Sequence, residues 1–259
     1  MSRYLSFVVL GFFLFYPWPE IPAFSSTGPE THFSITRDSL KQFARDRDIA
    51  VDPLCGDMIR QFAVISDSED NAEDFTLHCD NDRITDCAYR LDELKHQSVH
   101  ATNRFSSLRR MGMALHLIQD FYSHSNWVES AGFTMFLAPL EAFTWLPIPA
   151  NIQTGFYPEY VSHPDVQKAC FLFPVEQWGL RFEGATHGCM NKDSERQFRG
   201  ITVVPGSPGI TYHRLAAEYA KLHSVQFLHE MARANPWFKS CFLPPYFGGA
   251  ECSGGILNK

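Results

Sequence analysis

The distribution of apolar and polar residues along the chain predicts a protein built mostly from helices. Four segments repeat apolar residues every three or four positions, the spacing that lines one face of a helix. They run from Ser34 to Arg47, from Ala88 to His100, from Phe105 to Tyr122 and from Thr211 to Arg233. Ser34 is the expected cap of the first helix, and Pro236 lies just past the last.

The two longest segments have the clearest apolar faces, and neither shows the alternation of a half-buried strand. The faces consist of Leu108, Met111, Leu115, Ile118 and Phe121, and of Leu215, Ala216, Tyr219, Leu222 and Phe227. Between Pro139 and Pro208 the chain is rich in Pro, Gly and aromatic residues, which predicts long loops and one short helix near Val166 to Cys170. The expected fold class is therefore a mostly α helical bundle with long irregular loops.

The first 25 residues are typical of a secretory leader. Arg3 gives a positive start, residues 4–15 are nearly all apolar, and Ala23 and Ser25 suit cleavage. The apolar run is too short to span a bilayer, although a retained membrane-associated anchor is the alternative. We therefore expect a signal peptide at residues 1–25, a helical domain at 26–240, a Gly-rich tail at 241–259, and a secreted protein.

Seven cysteines follow the expected leader, which fits disulfide formation in an oxidising compartment. Three disulfides and one free thiol are possible. Short-range pairs such as Cys79–Cys87 or Cys241–Cys252 are plausible, but the sequence does not assign them. No CxxC pair occurs, so a zinc site built from cysteines is not expected.

The net charge of −7 and the pI of about 5.9 give no basic excess. Nucleic acid is therefore an unlikely partner on charge alone. Bound zinc ions would add local positive charge, so this argument has little weight.

One predicted helix carries His116, Asp120 and His124, each four residues after the last. Successive members are rotated by about 40° and separated by about 6 Å along the axis. His116 and Asp120 can therefore share one metal, while His124 is better placed for a neighbouring metal. Imidazole and carboxylate are suitable zinc ligands. The alternative is a helix with ordinary surface or capped polar groups.

Further candidate ligands are scattered along the chain, beside acids or at the starts of helices. They are His32, His78, His187, Asp193 and His213, together with the acidic stretch that contains Asp67, Asp70 and Asp74. Helical folds build multi-metal sites from such residues when they converge on the core. Each residue taken alone has a purely structural interpretation.

With these residues in view, the chain resembles the zinc-dependent phospholipase C superfamily, and within it the Het-C-like branch. In particular it resembles the N-terminal domain of von Willebrand factor A domain-containing protein 7. The matching phrases are Thr31-His-Phe-Ser-Ile-Thr, Asp74-Phe-Thr-Leu-His-Cys-Asp, Ala114-Leu-His-Leu-Ile-Gln-Asp-Phe-Tyr-Ser-His-Ser-Asn-Trp-Val-Glu, Asn191-Lys-Asp-Ser and His213-Arg-Leu-Ala-Ala. The central phrase is the most specific.

The resemblance implies a helical fold with up to three zinc ions at the base of a cleft. It assigns His116, Asp120, Asp67 and His78 to one ion, and His32 with the shared Asp120 to a second. Asp67 is chosen over Asp70 and Asp74 by its spacing to His78. The third ion would take His124 and later ligands, for which His187, Asp193 and His213 are the candidates.

The function expected from this resemblance is a phosphodiester hydrolase of the phospholipase C type, with Asp67 orienting the attacking water. Its substrate would be a phospholipid headgroup ester or another phosphodiester. Loop aromatics could then contact a membrane peripherally, although burial against the helices is the alternative. These aromatics are Phe133, Phe136, Phe143, Trp145, Phe156, Tyr157 and Tyr160.

Two other functions stay open. A single-strand nuclease-like hydrolase would use the same ions and stack bases on the aromatics. A non-catalytic, zinc-stabilised interaction module is favoured by two departures from the superfamily. No acid follows His213 at the superfamily's four-residue spacing, where Ala217 stands, and Trp18, the candidate for its N-terminal ligand, lies inside the expected leader. A serine hydrolase is disfavoured because no Gly-x-Ser-x-Gly sequence occurs.

Overall fold

Nine helices and two short strands make up the part of the chain that the structure, a computed structural model, describes. This part comprises residues 30–68, 71, 74–131, 150–156, 179–180 and 185–245. The helices are α1 (His32–Asp46), α2 (Pro53–Ile65), α3 (Ile84–Val99), α4 (Arg104–His124), α5 (Trp127–Ala131), α6 (His187–Met190), α7 (Phe198–Ile201), α8 (Tyr212–Ala234) and α9 (Pro236–Lys239). The strands β1 (Ala50–Val51) and β2 (Phe242–Leu243) pair antiparallel. The predicted mostly α class is confirmed.

The four predicted helices are present as α1, α3, α4 and α8, with ends shifted by up to four residues. The cap of α1 is Thr31 rather than Ser34, because Thr31 Oγ1 accepts from the Ser34 backbone N–H while Ser34 Oγ accepts from that of Thr31. This reciprocal capping box satisfies two backbone donors that the helix start would leave unpaired.

Helix α2 was not predicted. Its start signals are Asp52, whose carboxylate accepts from the backbone of Leu54 and Cys55, and Pro53 at the first helical position. Gly56 and Asp57 in its first turns weaken the helical pattern. Tertiary packing against α1 and α4 stabilises this helix instead.

Helix α4 forms the centre of the fold. Every residue from Met111 to His124 is buried, and α4 packs against α2, α3 and α8. Helix α1 closes the bundle against α2 and α8. A polar side chain in this stretch of α4 is therefore buried whatever its angle on the helix. Leu222, expected on the apolar face of α8, is instead 44% exposed.

Disulfides connect distant and neighbouring parts of the described chain. Cys79 pairs with Cys87, which confirms one of the two short-range pairs suggested from the sequence. The suggested pair of Cys241 with Cys252 is wrong, because Cys241 is bonded to Cys55 with a Cα separation of 6.1 Å. Cys189 is also disulfide-bonded. Cys241 is buried and adjoins β2, so the described fold extends past residue 240.

Several predictions concern residues outside the described part of the chain. They include the leader at 1–25, the helix near Val166 to Cys170, the end of the expected tail at 246–259, and the loop aromatics other than Phe156. Among the described residues, no helix combines the length and the apolar character that crossing a membrane requires.

Candidate metal centre

Five of the predicted ligands meet against the middle of α4, and we call them the first cluster. His116 and Asp120 project from α4, and His32 is the first residue of α1. Asp67 follows the end of α2, and His78 lies in the loop before α3. Four separate segments of the chain therefore converge on one buried point.

The distances within the first cluster are short. Asp120 Oδ2 lies 2.8 Å from His78 Nδ1 and 2.9 Å from His116 Nε2, while Asp120 Oδ1 lies 3.1 Å from His32 Nε2. Asp67 is slightly farther away, at 3.6 Å from His116 Nε2 and 3.7 Å from His32 Nε2. One carboxylate, Asp120, thus contacts all three imidazoles.

Hydrogen bonds on the outer side determine which nitrogen of each imidazole faces inward. His116 Nδ1 lies 2.8 Å from the carbonyl oxygen of Ala63, and His78 Nε2 lies 3.1 Å from that of Asn71. A carbonyl oxygen only accepts, so these nitrogens carry the protons. The inner nitrogens then present lone pairs to Asp120 when the rings are neutral.

His32 is oriented in the same way by a side-chain amide. Its Nδ1 lies 2.7 Å from Gln119 Oε1, and Gln119 Nε2 donates to Thr36 Oγ1 at 2.9 Å, which supports the amide orientation. Outer-shell acceptors of this kind are what metal-binding histidines use to fix tautomer and ring angle. Gln119 was not among the predicted site residues, although it is adjacent to Asp120 on α4.

The residues of the first cluster fit zinc. Bonds of about 2.0–2.1 Å in a tetrahedron separate neighbouring ligand atoms by roughly 3.3 Å. The ligand atoms of His32, Asp67, His116 and Asp120 all lie within 4.8 Å of one another. Contacts of 2.8 to 3.7 Å within the first cluster lie on either side of the separation expected for zinc ligands. Within the described residues, Asp120 Oδ1 is buried and has no hydrogen-bond partner, so it has capacity left for a cation.

The charges of the first cluster are strongly coupled. Burial alone would raise the pKa of Asp120, but the nearby His116, His124 and His32 outweigh it and hold that pKa well below the ordinary value of a carboxyl. Burial would lower the pKa of His78, but the hydrogen bond to Asp120 and the surrounding carboxylates raise it to about 9. The cluster therefore requires positive charge, supplied by protons or by a metal ion.

A second cluster, consisting of Asp80, His124, His187 and Asp193, lies beyond the end of α4. His124 has a carboxylate at each nitrogen, with Asp80 Oδ1 3.4 Å from Nδ1 and Asp193 Oδ1 3.3 Å from Nε2. His187 Nδ1 lies 3.2 Å from Asp80 Oδ1. The ligand atoms of Asp80, His124 and His187 lie within 4.8 Å of one another.

Hydrogen bonds again restrict the protonation of this cluster. Asn191 Oδ1 accepts from the Asp193 N–H, so its Nδ2 donates to His187 Nε2 at 3.1 Å. His187 then carries its proton on Nδ1 and donates to Asp80. His124 Nδ1 lies 3.2 Å from the carbonyl oxygen of His78 and so carries the proton, which leaves the lone pair of Nε2 facing Asp193 when the ring is neutral.

The carboxylates of the second cluster are also held ionised. Burial alone would raise the pKa of Asp193, but His124, His187 and the hydroxyl of Ser123 lower it to about 2. Burial would also raise the pKa of Asp80, but His187 and His124 outweigh it and hold that pKa below the ordinary value of a carboxyl. Asp80 was not among the predicted site residues, although it stands two residues after His78.

The remaining candidates lie elsewhere. His213 is buried at the start of α8 and its Nδ1 donates to the carbonyl oxygen of Lys192 at 2.8 Å, beside the second cluster but in neither group. Asp74, a rival of Asp67, accepts hydrogen bonds from Thr76 and Leu77 instead. Asp70, the other rival, lies outside the described residues.

The loop between α2 and α3 supplies side chains to both clusters because of its unusual backbone. Cys79, Asn81 and Asp82 all have positive φ angles, between 56° and 60°. Asn and Asp tolerate this conformation, but Cys79 is strained there. The disulfide to Cys87 and a bond from the Asn81 N–H to the Gly155 carbonyl oxygen, at 2.8 Å, hold the loop. His78 and Asp80 can thereby face different clusters.

The fold and these clusters define a class: a mostly helical domain whose core encloses histidines and aspartates suited to divalent cations. Residues 55–140 match the family described as the VWA7 N-terminal domain. That stretch contains Asp67, His78, Asp80, His116, Asp120 and His124.

The chain is similar to von Willebrand factor A domain-containing protein 7 from two mammals. It is 41% identical to the protein from Rattus norvegicus and 43% identical to that from Homo sapiens, over 56 residues in each case. This stretch covers 20% of the chain and only 6% of each relative. No solved structure matches the chain. The predicted resemblance to the VWA7 N-terminal domain is therefore supported, whereas that to the phospholipase C superfamily stays a prediction.

Proposed function

We propose that this chain is a secreted zinc-dependent phosphodiester hydrolase of the phospholipase C type. The observation that carries the proposal is the first cluster, in which His32, His78 and His116 turn their inner nitrogens toward Asp120. Three imidazoles oriented by outer-shell acceptors around shared carboxylates are typical of a metal site rather than of a structural polar network.

In this proposal each side chain has a distinct task. His78, His116 and Asp120 would hold one ion, and His32 and Asp120 would hold a second. Bound zinc supplies a water of lowered pKa and stabilises the charge that develops on a phosphate. Asp67 is the most exposed member of the first cluster, with 13% of its side chain accessible, so its carboxylate is placed to orient that water.

A third ion fits the second cluster in two ways. His124 Nε2 can bind it together with Asp193, with His213 nearby, or His124 Nδ1 can bind it together with Asp80 and His187. The hydrogen-bond pattern favours the first arrangement, because His187 uses its Nδ1 proton to bond Asp80. Asp80 and His187 would then support His124 rather than bind the metal.

The proposed substrate is a phospholipid headgroup ester. The disulfides support a secreted protein, because such bonds persist in oxidising compartments. The loop aromatics proposed to contact a lipid surface lie almost entirely outside the described residues, so the substrate class depends on the resemblance and the metal chemistry alone.

A second candidate function is a zinc-stabilised extracellular interaction module without turnover. The burial of the first cluster favours it, because His32, His116 and Asp120 are each at most 2% exposed. A structural zinc site is closed, whereas a catalytic site keeps an open position. Only Asp67 gives the first cluster appreciable contact with solvent among its described members.

The two functions are separated by one set of measurements on the purified mature protein. Zinc content is measured first, and hydrolysis is then followed with phosphatidylcholine vesicles, a soluble nitrophenyl phosphodiester and single-stranded DNA, with and without chelator. We expect at least two zinc ions per chain and headgroup release that chelator abolishes. Bound zinc without turnover of any substrate favours the interaction module. Cleavage of the DNA alone favours a single-strand nuclease. Fewer than two zinc ions per chain would refute the proposed cluster chemistry.

A further inference from the structure

Lys192 is a lysine whose side chain is fully buried between the second cluster and the end of α4. Its Nζ donates to the carbonyl oxygens of Ser125 at 2.6 Å and Met190 at 2.9 Å, and lies 3.2 Å from Glu129 Oε1. All three protons of the ammonium group therefore have acceptors. Ser125 is the residue that ends α4, so the charge also lies at the favourable end of that helix.

Glu129 does not depend on this lysine alone for its charge balance. Arg199, also buried, already lies 3.4 Å from the same Glu129 Oε1 through its Nε. One carboxylate thus has two cationic neighbours, and removal of Lys192 would leave a neutral pair. Burying an ammonium group is strongly unfavourable, and the neutralisation of Glu129 does not by itself account for a lysine at this position.

The backbone contacts of Lys192 indicate what its side chain holds in place. Its N–H donates to the carbonyl oxygen of Ser123 at 3.1 Å, and its carbonyl oxygen accepts from His213 Nδ1. The next residue is Asp193, whose carboxylate faces His124 and accepts from the hydroxyl of Ser123. Side chain and backbone together join this segment to α4 and α8.

We propose that Lys192 is a positioning residue, whose buried ammonium group holds the segment 190–193 so that Asp193 faces His124 and His213 is fixed in one tautomer. This inference rests on the proposed function only in treating His124, Asp193 and His213 as ligands. The geometry itself concerns the metal-free protein and can be tested there.

The test compares Lys192→Met with Arg199→Met. The second variant removes the same charge from beside the same carboxylate, together with a contact from Arg199 Nη1 to Met190 Sδ, but leaves the bonds of the Lys192 ammonium to the carbonyl oxygens of Ser125 and Met190 intact. Zinc per chain and the tautomers of the histidines, from nitrogen-15 spectra of the metal-free protein, are measured for both variants. We expect Lys192→Met to bind one zinc fewer than the wild type and to lose the Nδ1–H tautomer of His213. Arg199→Met should retain both properties even if it melts at a lower temperature.

Equal zinc content and an unchanged His213 tautomer in Lys192→Met would overturn the proposal, as would identical losses in the two variants. If Lys192→Met does not fold, Lys192→Gln, which keeps one donor group, replaces it under the same criteria. A wild-type protein that binds no zinc would refute the proposed function, but the tautomer comparison would still decide the role of Lys192.

Discussion

At the residue scale, Asp120 is the side chain on which the first cluster depends most. One of its oxygens faces His32 and the other faces His78 and His116. Asp120→Asn keeps the shape but removes the charge that these imidazoles share. We expect the variant to lose at least one zinc per chain and to be destabilised by about 3 kcal/mol or more, because a buried charged network loses one partner.

The measurements for Asp120→Asn are metal analysis and thermal unfolding of the same preparation. The matched control is Asp38→Asn on α1, whose carboxylate is partly exposed and paired with Arg37. It should change stability by less than about 1 kcal/mol and leave the zinc content unaltered. Full zinc and unchanged melting in Asp120→Asn would contradict the assignment of the first cluster.

The second prediction at this scale concerns His223, which belongs to neither cluster. Its ring is buried in α8, where Nδ1 lies 3.0 Å from the Tyr122 hydroxyl oxygen. Burial, with a smaller contribution from Lys95, lowers the pKa of His223 to about 3. The unfolded chain binds this proton near pH 6.5, so the stabilisation is complete above that pH and is lost as the pH falls toward 3.

Between pH 7.5 and 5.5 this single group should reduce the free energy of unfolding by about 1.4 kcal/mol. His223→Asn keeps a hydrogen-bonding group for Tyr122 but cannot titrate, so its stability should fall by that much less over the same interval. Chemical denaturation at the two pH values measures the difference. His229→Asn, at a partly exposed position on the same helix, controls for the loss of a histidine. Parallel pH profiles of His223→Asn and the wild type would show that His223 does not titrate as described.

At the element scale, the sequence predicts what periodicity encodes and misses what packing decides. The spacing of His116, Asp120 and His124 placed three candidate ligands on one helix, and that helix is α4. Helix α2 was missed because its first turns mix Gly and Asp with apolar residues. Asp80 was missed because its role depends on a left-handed loop that has no periodic signature. Which distant residues meet α4 followed from the family resemblance and not from spacing.

The close approach of α2 and α4 depends on Gly112, which gives the prediction at this scale. A Cβ added there would lie 2.5 Å from Phe62 Cβ and 2.7 Å from the Ile59 carbonyl oxygen. The next residue of α2 in this contact, Ala63, accepts the hydrogen bond that orients His116. Gly112→Ala should therefore cost roughly 1–3 kcal/mol through overpacking and should also weaken zinc binding.

Gly56→Ala on α2 is the matched control, because its Cβ would meet only Leu40 Cδ1, at 4.0 Å. The gain in helix propensity should then stabilise the protein by up to about 1 kcal/mol. Opposite signs for the two variants are expected in denaturant unfolding, with zinc affinity reduced only for Gly112→Ala. A stabilising Gly112→Ala would mean that α2 moves away from α4 without cost.

At the scale of the whole molecule, the two disulfides assigned in the described chain should have separable effects. Cys55–Cys241 closes a loop with a sequence separation of 186 residues, whereas Cys79 and Cys87 are separated by 8. On the chain-entropy account, removing the long link costs about 5 kcal/mol and removing the short one about 2.6 kcal/mol. The Cys79–Cys87 link, however, holds the strained loop that carries His78 and Asp80.

We therefore expect stability and zinc affinity to be affected differently in two double variants. These variants are Cys55→Ser/Cys241→Ser and Cys79→Ser/Cys87→Ser. The first should lose more stability but keep zinc affinity while folded, because neither cysteine lies in a ligand-bearing loop. The second should lose less stability but bind zinc more weakly, because the left-handed backbone at Cys79 can relax once the link is gone. The stability effect is measured by denaturation of the metal-free proteins. The zinc affinity is measured by titration at a temperature where both variants are folded. Equal zinc affinities would disprove the role given to the Cys79–Cys87 loop.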